Sequence, residues 1–229
     1  MMRPDQMLVS HLAAALLALT VAGVLVRGRG RLCWSFLVYL SALLVGNRLT
    51  TWWPELFYTH DAWNIKSFAY AALLWAVAFE MALLTFVMAP RARRRALRVM
   101  GFVTVFAAVA AVVPSVEATY LTVLGVLAPR GETAALWLFL VVFGLAAWHR
   151  LPLHPYHRAI VLGSTLYLTF DVVILVVLGA RASSQVAYSY LAALEPLAFA
   201  ATVAFWAWAA WRPLEVQRGV LSRLQPWAV

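Results

Sequence analysis

Apolar runs of membrane-crossing length recur along this chain and constrain its fold more than any other feature. They fall at about residues 7–26, 32–51, 66–90, 98–114, 133–149, 159–180 and 186–211. A hydrocarbon layer of roughly 30 Å takes about 20 helical residues to cross. The backbone cannot cross unpaired, so each run is expected to be a helix. Only 12% of the residues are charged, about half the share in a soluble domain. The expected fold is all-α, a polytopic seven-helix transmembrane bundle over residues 1–211. A short basic amphipathic tail, 212–229, follows it. The stretch Thr119 to Leu127 is also apolar and would extend the fifth span outward or form an interfacial helix.

Arginine sets the orientation. There are 17 Arg and one Lys, and 13 of these 18 bases fall in alternate loops and the tail: Arg27, Arg29, Arg31; Arg91, Arg93, Arg94, Arg95, Arg98; Arg150, Arg158; Arg212, Arg218, Arg223. The positive-inside bias then puts the N-terminus outside and the C-terminus in the cytoplasm. The expected location is the bacterial inner membrane, with the lipid bilayer as the first partner. In this setting the net charge of +9 reports topology and does not call for nucleic acid.

Three carboxyl residues remain within the spans: Glu80 in the third, Asp171 in the sixth and Glu195 in the seventh. Counted from the span ends, all three come near the midplane. An ionisable group there costs roughly 2.5–3.5 kcal/mol on insertion scales and marks a functional site by default. A ligand- or proton-binding set of Glu80, Asp171, Glu195, Tyr167 and Tyr188 is expected, in which a proton is held or shared or a cation is bound. The alternative is that the acids only hold helices together, each worth about 0.6–2 kcal/mol. Pro196 directly follows Glu195 and frees the carbonyl four residues earlier.

The loop from Asn47 to Lys66 gathers Trp52, Trp53, Tyr58, His60 and Trp63. These form either an interfacial belt or an outer aromatic cap over the bundle. Arg91, Arg93, Arg94 and Arg95 present a surface for lipid or for a membrane protein partner. His149, His154 and His157 share one short loop with two prolines and no acid, a poor metal signature, and no metal site is expected. The lone Cys33 permits neither an internal disulfide nor a CxxC motif.

Seven helices with an outside N-terminus resemble the retinal proteins, whose chromophore needs a Schiff-base lysine in the seventh helix. The sole lysine is Lys66, at the start of the third span, so covalent retinal is excluded, and no other cofactor is expected. Length and orientation also resemble the three-plus-one-plus-three sugar facilitators, but their proline-glutamine motifs are missing and no site is carried over. The Trp-rich outer loop is similar to that of haem-handling proteins of cytochrome maturation, whose outer-facing histidine pair is absent.

No Gly-x-Ser-x-Gly elbow or His-Glu-x-x-His helix occurs, so no catalytic residue is assigned. The expected function is non-enzymatic, a receptor-like sensor or small transporter with a buried carboxylate pocket. A structural or assembly subunit of a larger membrane complex is the alternative, and a lipid-active enzyme comes behind both. With no attached effector expected, a sensor would act through a partner on the arginine surface. A reporter fused after Arg95 or Val229 should be cytoplasmic and one inserted near Glu55 outside; an external C-terminus would overturn the seven-span count.

Overall fold

The computed structural model describes residues 4–57, 59–87, 89–112, 120–151, 153–180 and 185–213. All of its regular structure there is helical: α1 (Pro4–Val26), α2 (Trp34–Trp52), α3 (Pro54–Phe57), α4 (His60–Thr85), α5 (Pro90–Val112), α6 (Tyr120–Trp148), α7 (Pro155–Ala180) and α8 (Gln185–Trp211), with one 3-10 turn at Arg29–Leu32. Four segments are long and apolar enough to cross a membrane: Leu8–Val26, His60–Thr85, Pro129–Trp148 and Pro155–Ile174. The chain is therefore built as a helical membrane protein. α2 is made less apolar by Asn47 and Arg48, and α5 by the five arginines at its start.

The largest shifts from the expected span limits are at the starts of α5 and α6, the second being the outward extension that the sequence offers as one alternative. α5 begins at Pro90, so the arginines form its first two turns and are not a loop. Proline suits a first helical position, where no N–H is needed. α6 begins at Tyr120, well before residue 133, because the apolar stretch Thr119 to Leu127 continues into it. Pro129 lies inside α6, and its carbonyl accepts a bond from Thr133 Oγ1 at 2.9 Å. The tail beyond Pro213 lies outside the described residues.

Neighbour relations close a ring. α1 packs on α2, α2 on α4, α4 on α6, α6 on α7, α7 on α8, and α8 on α1; α5 stands outside, against α6 and α4. Polar stitches join the seams where lipid offers no partner. Tyr70 donates to the Ala42 carbonyl at 3.3 Å, Trp75 to Gly131 at 2.8 Å and Trp211 to Leu19 at 3.0 Å.

An aromatic core lies within the ring. Phe36 meets Trp206 edge-on with centroids 5.1 Å apart, and Tyr156 and Tyr39 at 6.3 and 6.4 Å. Each such pair contributes about 0.5–1.5 kcal/mol beyond burial. Phe36, Trp206, Phe139, Leu40 and Leu168 are all essentially inaccessible. Gly163 makes room for Trp206: a Cβ there would lie 2.2 Å from the indole nitrogen. Gly163→Ala should therefore destabilise the protein by about 1–3 kcal/mol, read as a lower thermal midpoint in detergent. Adding Trp206→Phe should recover part of the loss, and an unchanged midpoint in Gly163→Ala would contradict this packing.

Candidate functional site: a carboxyl cluster and a capped basic end

The connector between α1 and α2 shows how one end of the bundle is built. Gly28 turns the chain in the left-handed region, φ 65°, a conformation open to glycine at little cost. Arg29 follows and is buried. Its guanidinium donates to the carbonyls of Ala209 and Arg212 and lies 5.5 Å from the centre of the Tyr156 ring. A cation thus sits on the unpaired carbonyls at the C-terminus of α8, where the helix dipole favours it. His157 Nε2 donates to the Leu32 carbonyl at 2.9 Å.

Glu80 belongs to this end. Cys33 precedes α2 and supplies no side-chain cap of its own. The Glu80 carboxylate takes that role from α4, accepting from the amides of Trp34 at 3.0 Å and Ser35 at 2.7 Å, from the Ser35 hydroxyl, and from the Cys33 thiol at 3.3 Å. A capping side chain is worth about 0.5–2 kcal/mol in water, and free amides at membrane depth cost several. Glu80 stands five residues from the end of α4 and is fully engaged as a cap. Expected as a midplane partner of Asp171 and Glu195, it instead anchors the start of α2.

The acid that does meet Asp171 is Glu132. The early start of α6 draws Glu132 into the bundle, although the sequence places it in an outer loop. Its carboxyl lies within hydrogen-bonding reach of that of Asp171, and Glu195 is near enough to bear electrostatically on both. Each of the three lies sixteen residues from the end of its helix on the Arg29 side, namely Trp148, Pro155 and Trp211. At 1.5 Å per residue they share one level about 24 Å above that end.

Tyr167 on α7 is near enough to bear electrostatically on this cluster and packs edge-on against Phe199 at 5.6 Å. Proline accompanies the acids on two of the helices, Pro129 before Glu132 and Pro196 after Glu195. The side chain of Tyr188 lies outside those described.

The other expected residues lie elsewhere. Trp52 and Trp53 are exposed and pack edge-on at 5.9 Å. His60 Nε2 accepts from Asn64 at 3.1 Å, and the Trp63 ring carries Lys66 Nζ at 4.1 Å. Tyr58 lies outside the described residues. Arg91, Arg93, Arg94 and Arg95 are exposed on α5. Among the described residues no group of three or more His, Cys, Asp and Glu side chains is arranged to hold a metal ion.

The chain matches no protein-family model, no curated protein and no solved structure. Function must therefore be argued from the geometry.

The roles of three residues at this site escape a reading of the sequence. For Glu132 the available signal is the apolar stretch before it. For Glu80 it is the start of α2 at Cys33-Trp34-Ser35, which lacks a good local cap and so calls for one from elsewhere. His154 is the third. It precedes Pro155 and caps α7, its Nδ1 accepting from the Tyr156 amide at 3.2 Å. Burial, then the neighbouring His157 and Arg29, push its pKa down to about 4. An unfolded histidine protonates near 6.5. As pH falls from about 6.5 towards 4 the unfolded state gains a proton that the folded one refuses, so stability falls. His154→Asn keeps a good capping group and should flatten this acid slope in thermal melts while leaving neutral-pH stability near the wild type; a slope as steep as the wild type's would refute the assignment.

Proposed function

We propose that the seven long helices each cross the bacterial inner membrane, with the N-terminus outside, and that the protein is a receptor-like sensor. Its site is the cluster of Glu132, Asp171 and Glu195, which takes up a proton or a small cation from the outer side. The arginine distribution supports the orientation. It puts the Arg29 end in the cytoplasm and the cluster, about 24 Å from that end, in the outer half of the membrane.

The observation that carries the sensor reading is the contrast between the two halves of the ring. Three acids from consecutive helices meet at one level, while the aromatic core of Phe36, Tyr39, Tyr156 and Trp206 fills the lumen towards the basic end. Arg29, Glu80 and His157 tie that end shut. Such a site can be reached from one side and report through helix position without a path through the bundle.

A change of protonation has a direct mechanical outlet. In this reading Glu132 and Asp171 share one proton, and losing it puts two negative carboxylates side by side on α6 and α7, where repulsion in a low dielectric is strong. Pro129 and Pro196 interrupt the backbone ladder next to the acids on α6 and α8, so these helices bend there at low cost. The same prolines also suit a second reading, a small transporter whose outer half rocks about them.

Infrared difference spectra of the reconstituted protein across an external pH jump test the site. A protonated-carboxyl band should respond, should be lost in Glu132→Gln and in Asp171→Asn, and should persist in Glu80→Gln. A band that ignores the first two substitutions would sink the site. Proteoliposomes should show no uptake driven by a pH gradient; gradient-driven flux abolished by Glu132→Gln would replace the sensor with the transporter.

A further inference from the structure

α5 is the helix that the ring leaves outside, and its free face changes character along its length. Ala92, Ala96 and Met100 are buried against the bundle. At 100° per residue, the opposite face presents Arg91, Arg94, Arg95 and Arg98 and then Phe102, Val105, Phe106 and Val109 as one continuous stripe. The arginines are exposed. They line two adjoining grooves of about 470 and 580 Å³, the first with His149 at the end of α6 and the second with Val99. The apolar members are exposed as well, Phe102 and Phe106 at 73% and 67%.

The dimensions match one leaflet. From Arg91 to Arg98 the helix rises about 10 Å, near the depth of a headgroup layer, and from Val99 to Val109 about 15 Å, half of a 30 Å hydrocarbon core. A guanidinium presents a planar fork that pairs with phosphate through two hydrogen bonds, and four of them at i, i+3, i+4 and i+7 converge on the grooves. Charge complementarity with an acyl-length apolar stripe directly above selects the occupant.

We propose that this stripe of α5 is a binding site for an anionic phospholipid, whose phosphate sits in the arginine grooves and whose chains lie along Phe102, Val105, Phe106 and Val109. The site is separate from the carboxyl cluster and independent of any sensing role. A lipid bound there bridges α5 to the end of α6 at His149.

The test compares thermal unfolding of the full chain in nanodiscs of phosphatidylcholine with discs also containing phosphatidylglycerol, at fixed ionic strength. The anionic lipid should raise the midpoint. The shift should be largely lost in the triple variant R91Q/R94Q/R98Q, kept in large part in R91K/R94K/R98K, and unchanged in R27Q/R31Q. The melt of the glutamine variant in pure phosphatidylcholine shows whether it is folded, and the lysine variant reads the site if it is not. No shift in the wild type, or an equal loss in R27Q/R31Q, overturns the proposal. Inorganic phosphate added to phosphatidylcholine discs should not reproduce the shift; if it does, the grooves bind a free anion and the lipid is the wrong ligand. A membrane protein that co-purifies on this face and blocks the lipid effect would likewise overturn it.

Discussion

In a hydrocarbon solvent a helix end is a liability, because its unpaired amides or carbonyls find no water. The structure rests on how that liability is met at the connector between α1 and α2. Within eight residues the chain turns at Gly28, sends Arg29 to the last carbonyls of α8, offers the Leu32 carbonyl to His157 on α7, and presents the first amides of α2 to Glu80 on α4. Three helices, α4, α7 and α8, are thereby fixed to the segment that joins α1 to α2. Each contact satisfies polar groups that would be costly to leave buried and unpaired.

Once the basic end is fixed, the rest of the ring sorts by chemistry. Large rings fill the space just above the connector, where Gly163 lets the Trp206 indole reach the backbone of α7. Farther up, the same three helices that border this core carry acids at a common level. Aromatic packing lies towards the basic end and the three carboxyls lie farther from it. α5 takes no part in either half, and its exposed arginine and phenylalanine stripe faces the surroundings of the protein.

Acids in a membrane chain are often counted as one set, yet here their roles diverge with depth. Glu80 near a helix end does what a capping carboxylate does in any protein, accepting backbone amides at the positive end of a dipole. Glu132, Asp171 and Glu195 lie too far from the helix ends to cap anything and find one another instead.

The sequence by itself determined the helical class, because runs of about 20 apolar residues have no other way to pair their backbone in lipid. It also made Asp171 and Glu195 stand out as candidates, since each is a lone charge within such a run. It could not assign partners. Depth read from span ends grouped Glu80 with these two and left Glu132 outside, since a hydropathy boundary marks where charge begins and not where hydrogen-bonded helix stops. α6 passes through Pro129, Arg130 and Glu132 without ending, and only the packing of α6 against α4 and α7 brings Glu132 to Asp171. The cap on α2 is likewise supplied by a residue 45 positions away from Ser35. Such a pairing is a property of the closed ring, because the energy that selects it exists only when both helices are already in place.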